Sequence, residues 1–172
     1  MILIDSAVSG RLVWSKTSHR RGYELKCQGE VVASLQRASC WSSESQAESE
    51  HGKWRFRRTG FLRPGTEIVD ANSGARIAAL KPNWCGGGML EFSEGQRFRL
   101  KSNGIWRPIW SVLAENGRPV LSIHVREKTV EVPNESQLSE DRLILLTVFT
   151  WHLVRQNAED SAAVAVTVAA TS

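Results

Sequence analysis

Any chemistry in this chain would start from its arginines. In Lys53-Trp-Arg-Phe-Arg-Arg58 an extended backbone sends Trp54 and Phe56 to one face and Arg55 and Arg57 to the other. The stretch Gln96-Arg-Phe-Arg-Leu-Lys101 alternates likewise, with Arg97, Arg99 and Lys101 opposite Phe98 and Leu100. A row of guanidinium groups presents bidentate donors, and the ligand that matches them is a phosphate or another oxyanion. If the two rows lie side by side, Arg55, Arg57, Arg97, Arg99 and Lys101 make an anion-binding patch. The competing reading is a pair of solvated strand faces whose charge discourages edge pairing.

The other reactive residue types lack a partner at a useful spacing. Cys27, Cys40 and Cys85 are far apart, with no CxxC and no nearby histidine pair, so neither a disulfide framework nor a zinc knot is indicated, and a reducing compartment fits. His19, His51, His124 and His152 show no HExxH or similar ligand spacing, and His152 reads as a core or helix-end residue. Trp84-Cys-Gly-Gly-Gly88 would expose backbone amides, but it does not match GxxxxGK[ST] and no helix follows. It reads as a flexible hairpin, with Cys85 a structural thiol. There is no GxSxG elbow and no paired-acid motif. The expectation is a protein that is not an enzyme, with no catalytic residue, no metal and no cofactor.

The elements that must position these residues are short. Runs rich in Val, Ile, Trp, Phe and Leu, punctuated by glycine, give twelve candidate strands: 11–14, 23–27, 30–35, a polar run at 39–49, 53–58, 66–70, 75–81, 89–92, 97–101, 106–113, 119–125 and 129–132. Gln28-Gly29, Ser73-Gly74, Glu94-Gly95 and Asn116-Gly117 put glycine where a tight hairpin needs positive φ, so neighbouring strands should be antiparallel. Two hairpins look alike, one from Ile68 through Gly74 to Leu80 and one from Val112 through Gly117 to Ile123. Seven tryptophans would fill a closed interior better than they would line an open groove.

The last element differs in kind. Ser139 can cap a helix whose first turn carries Glu140 and Asp141, and Arg155 falls near its other end. Between them, Leu143 to Val154 is apolar on every face, with Leu143, Leu146, Phe149, Trp151 and Leu153 as its core residues. Such a helix is buried either in protein or in lipid, and this run is short of the roughly 20 residues a bilayer needs. The fold read from these signals is mainly β: a closed antiparallel barrel of about twelve strands around a central, hydrophobic C-terminal helix. One domain is expected over residues 1–157, with its core helix at 139–157 and a flexible Ala/Val-rich tail at 158–172. At 172 residues one core is the default.

A meander of this kind followed by an all-apolar helix resembles the tubby C-terminal-like superfamily, which takes in tubby proteins, phospholipid scramblases and LURP-one-related proteins. The resemblance spans residues 11–157 and is carried by Trp54-Arg-Phe56, the turns Asp70-Ala-Asn-Ser-Gly74 and Glu115-Asn-Gly117, the strand Gln96-Arg-Phe-Arg-Leu100 and the helix ending Thr150-Trp-His-Leu153. It is nearest to the LURP-one-related branch. It implies a binding fold in which strands close around the helix, with phosphoinositide headgroups as the tubby ligand. The segment Glu131-Val-Pro-Asn-Glu-Ser-Gln-Leu138 lacks the aspartate-dense loop linked to calcium in scramblases, so calcium-driven scrambling is not expected.

The functional expectation is therefore a non-catalytic module that binds anionic phospholipid headgroups at a membrane surface. The net charge of +4 suits such a partner. The alternative is a structural or protein-interaction domain whose basic charge is incidental. Nucleic acid ranks third, and no transmembrane segment is expected. Residues 1–10 lack the basic and apolar regions of a secretory signal, so the expected location is cytoplasmic, peripheral to a membrane if the lipid reading holds.

Overall fold

Alternation decides the architecture. Along each strand the apolar side chains fall on one face and the charged ones on the other, and a computed structural model, which describes residues 11–18, 21–39, 42–60 and 65–170, wraps the apolar faces inward. The strands are β1 (Leu12–Lys16), β2 (Gly22–Cys27), β3 (Glu30–Arg37), β4 (Ser45–Ser49), β5 (Gly52–Thr59), β6 (Gly65–Asp70), β7 (Arg76–Pro82), β8 (Gly88–Phe92), β9 (Arg97–Asn103), β10 (Ile109–Ala114), β11 (Pro119–His124) and β12 (Thr129–Glu131). Each pairs antiparallel with its neighbours in sequence, and β1 meets β12 through Leu12↔Val130 and Val13↔Thr129, closing the barrel. The expected fold class is what the chain adopts. The outer faces carry Lys53, Arg55, Arg97 and Arg99, the reverse of a membrane barrel with its lipid-facing apolar band.

The hairpins whose glycines were expected to turn do so. Gln28 and Gly29 have φ of 51° and 91°, and Gly74, Gly95 and Gly117 lie between 74° and 95°. At the β6–β7 turn the Asp70 carboxylate accepts bonds from the Ser73 and Asn72 amides at 2.6 and 3.0 Å and from the Ser73 hydroxyl at 2.9 Å. These donors hold its pKa below the ordinary carboxylate value. The likeness between the two hairpins is structural as well: both slip register by one residue beside the turn, after Ile68 and after Val112. Such bulges add twist, which a closing sheet needs.

The helix α1 (Glu140–Ala170) runs through the barrel. Every residue from Leu143 to Val154 is buried, including the expected core residues Leu143, Leu146, Phe149, Trp151 and Leu153. Trp151 stacks on Trp14 of β1 at 5.2 Å, and Phe149 meets Phe56 of β5 edge-on at 5.3 Å. Two buried hydroxyls need no partner from the barrel, since Thr147 and Thr150 donate to the Leu143 and Leu146 carbonyls one turn back at 2.8 and 2.7 Å. At the entry end Ser139 bonds the Asp141 carboxylate and lowers its pKa, and Arg142 lies over the Phe92 ring at 3.7 Å while pairing with Glu94.

Three expectations need correction. The helix does not give way to a tail at residue 158 but continues to Ala170. Glu159 and Asp160, which interrupt the apolar run, pair with Arg37 and Arg58 on the barrel rim, and the alanine-rich stretch beyond has high helix propensity. The strand expected at 106–113 begins only at Ile109, leaving Trp106 89% exposed in the β9–β10 turn. And although Trp14, Trp54, Trp110 and Trp151 fill the interior, Trp84 and Trp106 project into solvent.

Candidate functional site

An up-and-down barrel sends alternate turns to the same end. Thus the β1–β2, β3–β4, β5–β6, β7–β8, β9–β10 and β11–β12 connections share the end from which α1 emerges, and the other turns share the end at which it enters. Charge follows this division. The entry end carries Glu50, Glu94, Glu115, Glu135, Glu140 and Asp141 against Arg118 and Arg142, while the exit end gathers Lys16, Arg21, Arg37, Arg58, Arg107, Arg126, Lys128 and Arg155 against Glu44, Glu127, Glu159 and Asp160.

At the exit end a cavity of about 280 Å³ opens between α1 and the rims of β1 to β5. Lys16, Arg21, Arg37, Arg58 and Arg155 line it, opposed by two carboxylates, Glu159 and Asp160. The excess is positive. Arg37 donates to Glu159 at 2.6 Å and to the Ser42 carbonyl at 3.1 Å, and Arg58 pairs with Asp160. Arg155 lies over the Tyr23 ring at 5.2 Å, where the aromatic face holds its guanidinium against the cavity wall.

His152 forms part of the lining, one helical turn below Gln156, and is only 4% exposed. Its Nδ1 lies 3.1 Å from the Ser45 hydroxyl, and its Nε2 has no partner among the described residues. Burial disfavours the imidazolium, the positive charges of Arg58 and Arg37 disfavour it further, and the pKa falls to about 4. The ring is therefore neutral at physiological pH. A neutral imidazole under a cationic mouth can exchange a hydrogen bond with a bound group but adds no charge of its own.

The residues singled out in the sequence are arranged differently. Arg55, Arg57, Arg97, Arg99 and Lys101 all point outward, but β5 and β9 are separated by β6, β7 and β8, so the two rows do not form one patch. Most of their charge is answered locally: Arg55 lies 3.8 Å from Glu44, Arg57 3.1 Å from Glu67, and Arg97 3.3 Å from Glu91. Lys101 sits toward the exit end, beside the β7–β8 turn.

That turn is built more tightly than a flexible hairpin. A Cβ on Gly87 would come within 2.1 Å of the Leu100 carbonyl oxygen, and Cys85 donates its amide to the Asn83 side chain at 3.0 Å. Cys85 is exposed and Cys27 is buried, where desolvation, aided by Glu30, raises its thiol pKa. His19, Cys40 and Trp41 lie outside the described residues.

The strands brought together two groups that spacing alone did not reveal. The exit-end cavity draws on five strands and the helix, and its only linear trace is the recurrence of a basic residue near successive turns, at Lys16, Arg21, Arg37 and Arg58. At the entry end His51 comes within 3.5 Å of Glu140 and 3.6 Å of Glu50, an exposed trio held by ion pairing when the ring is protonated. Among the described residues no helix is long and apolar enough to cross a membrane. Comparison with protein families, curated proteins and solved structures returns no match to this chain.

Proposed function

We propose that this barrel is a non-catalytic binding module that takes the phosphate-bearing headgroup of an anionic phospholipid into the cavity at its helix-exit end. The observation that carries the reading is the convergence of five cationic side chains on one small cavity, over a neutral histidine with a spare nitrogen. The cavity lies near the lower limit for small-ligand sites, which suits a headgroup better than a larger molecule. Lys16 and Arg21 stand exposed at its mouth, where they meet an incoming phosphate first. The resemblance to tubby-like proteins points to the same ligand class, and attachment would be peripheral, at the cytoplasmic leaflet.

A second reading has an observation in its favour. Arg37 and Arg58 already hold the carboxylates of α1, so part of the positive charge fastens the helix to the barrel, as in a structural or protein-interaction domain. The two readings separate at Lys16 and Arg21. Lys16→Glu/Arg21→Glu leaves those ion pairs intact. Each basic residue near an acidic membrane contributes about 1 kcal/mol, so the double reversal should weaken flotation with phosphatidylserine- or phosphoinositide-containing vesicles by more than about tenfold. Wild type should float at low salt and less at physiological salt. Arg97→Glu/Arg99→Glu, on the distant row, should matter less. If wild type ignores acidic vesicles even at low salt, the interaction-domain reading replaces this one.

A further inference from the structure

The large apolar side chains left in solvent are not scattered. Six stand exposed among the described residues: Val31, Trp84, Ile105, Trp106, Val164 and Val166. Five of them are at the helix-exit end, and only Val31, at the start of β3, is not. Trp84 is 106%, Ile105 93% and Trp106 89% exposed, on the β7–β8 and β9–β10 turns. These turns adjoin, because Gly87 approaches the Leu100 backbone at the end of the strand pair between them. The first turn also rests on the helix, where the Asn157 amide reaches the Gly86 carbonyl at 3.5 Å.

We infer that this end of the barrel is a membrane-inserting face, with Trp84, Ile105 and Trp106 entering the headgroup–acyl boundary beside the emerging helix. The inference rests on the lipid reading above and adds an apolar component to it. Tryptophan is the side chain that favours this boundary, with an apolar body and a polar N–H. Around it stand Lys81, Lys101, Arg107, Arg126 and Lys128, with Glu127 among them and Lys81 3.9 Å from Glu91, a positive excess that complements an acidic leaflet. Between Ser161 and Ala170 the helix has no charged residue. From Asp160 to Ala170 it projects about 15 Å, at about 1.5 Å per residue. That is about half the hydrocarbon thickness, so this stretch reaches no deeper than one leaflet.

Single-stranded nucleic acid would also stack on tryptophan and pair with arginine, but Ile105, Val164 and Val166 offer it nothing, whereas a bilayer engages all of them. A second copy of the chain would cover the apolar groups but would bring its own cationic rim against this one.

The test uses the full chain with vesicles containing phosphatidylserine, with and without lipids brominated on the acyl chains. Wild-type tryptophan emission should be quenched by the brominated lipids, and the quenching should fall at least severalfold in Trp84→Phe/Trp106→Phe, which retains binding. Trp84→Ser/Ile105→Ser/Trp106→Ser should bind at least about tenfold more weakly, and its residual binding should be more salt-sensitive because only the electrostatic part remains. Flotation without quenching would overturn the insertion and leave the headgroup reading standing. Quenching that survives Lys16→Glu/Arg21→Glu unchanged would support insertion and overturn the headgroup cavity. Dimerisation through the tryptophans in sedimentation, or tighter binding to an oligonucleotide than to vesicles, would overturn the insertion in favour of those partners.

Discussion

His152 is the residue whose environment most departs from what its type prefers. Its pKa of about 4 in the folded chain lies below the ordinary 6.5, so between those values the unfolded chain binds the extra proton. The stability this neutral ring allows is fully present above pH 6.5 and is lost as pH falls toward 4. The loss at pH 4 is on the order of 3 kcal/mol, taking about 1.4 kcal/mol per unit. In His152→Phe the ring can lie against Phe56 and Phe149, and the Ser45 hydroxyl is partly exposed to water. Urea denaturation between pH 4.5 and 7.5 should therefore show a shallower fall in stability for the variant than for wild type, and parallel curves would remove the histidine from the account. Its burial was legible in the sequence, because it stands in an apolar run. Its role as cavity lining was not, since Arg37 and Arg58 are brought near it by strands more than ninety positions away.

At the scale of elements, alternation and glycine turns were enough to locate the strands, because strands half-buried in a barrel must repeat every second residue; the exception in length is the polar run read at 39–49, of which only Ser45–Ser49 forms β4, with Ala47 its one buried side chain. The errors came where a different force takes over. Residues 106–108 are apolar or proline-flanked but face solvent in a turn, and periodicity cannot distinguish an apolar residue that is buried from one that is displayed. The helix end was misplaced because Glu159 and Asp160 read as breaks, whereas they are partnered across the rim by Arg37 and Arg58. The basic rows were assigned to the correct faces, but which rows adjoin depends on strand order. The helix itself carries a sharp prediction. Leu146 is completely enclosed by the barrel, so Leu146→Asp would bury a carboxylate with no partner. The variant should lose its near-ultraviolet circular dichroism and its solubility, while Asp160→Asn, at the rim, should remain folded.

For the molecule as a whole, the two ends of the barrel are chemically unlike: one acidic and closed by the helix cap, the other basic, cavitied and bearing the exposed tryptophans. Such a distribution would orient the protein in the field of an acidic surface before contact, so under the proposed lipid reading attachment to vesicles should slow as ionic strength rises, with detachment affected less. The helix within the barrel also sets the order of manufacture. The ribosome completes all twelve strands before it reaches Leu143, so the seam between β1 and β12 is available while the space inside has nothing to fill it. A chain truncated after Ser136 and released from the ribosome holds every strand and none of the helix, and its inward faces should remain collapsed but unfixed. That chain should be cleaved rapidly by protease, whereas the chain carried through to Ala170 should resist. The barrel must therefore become fixed only once the helix that follows its last strand has been made.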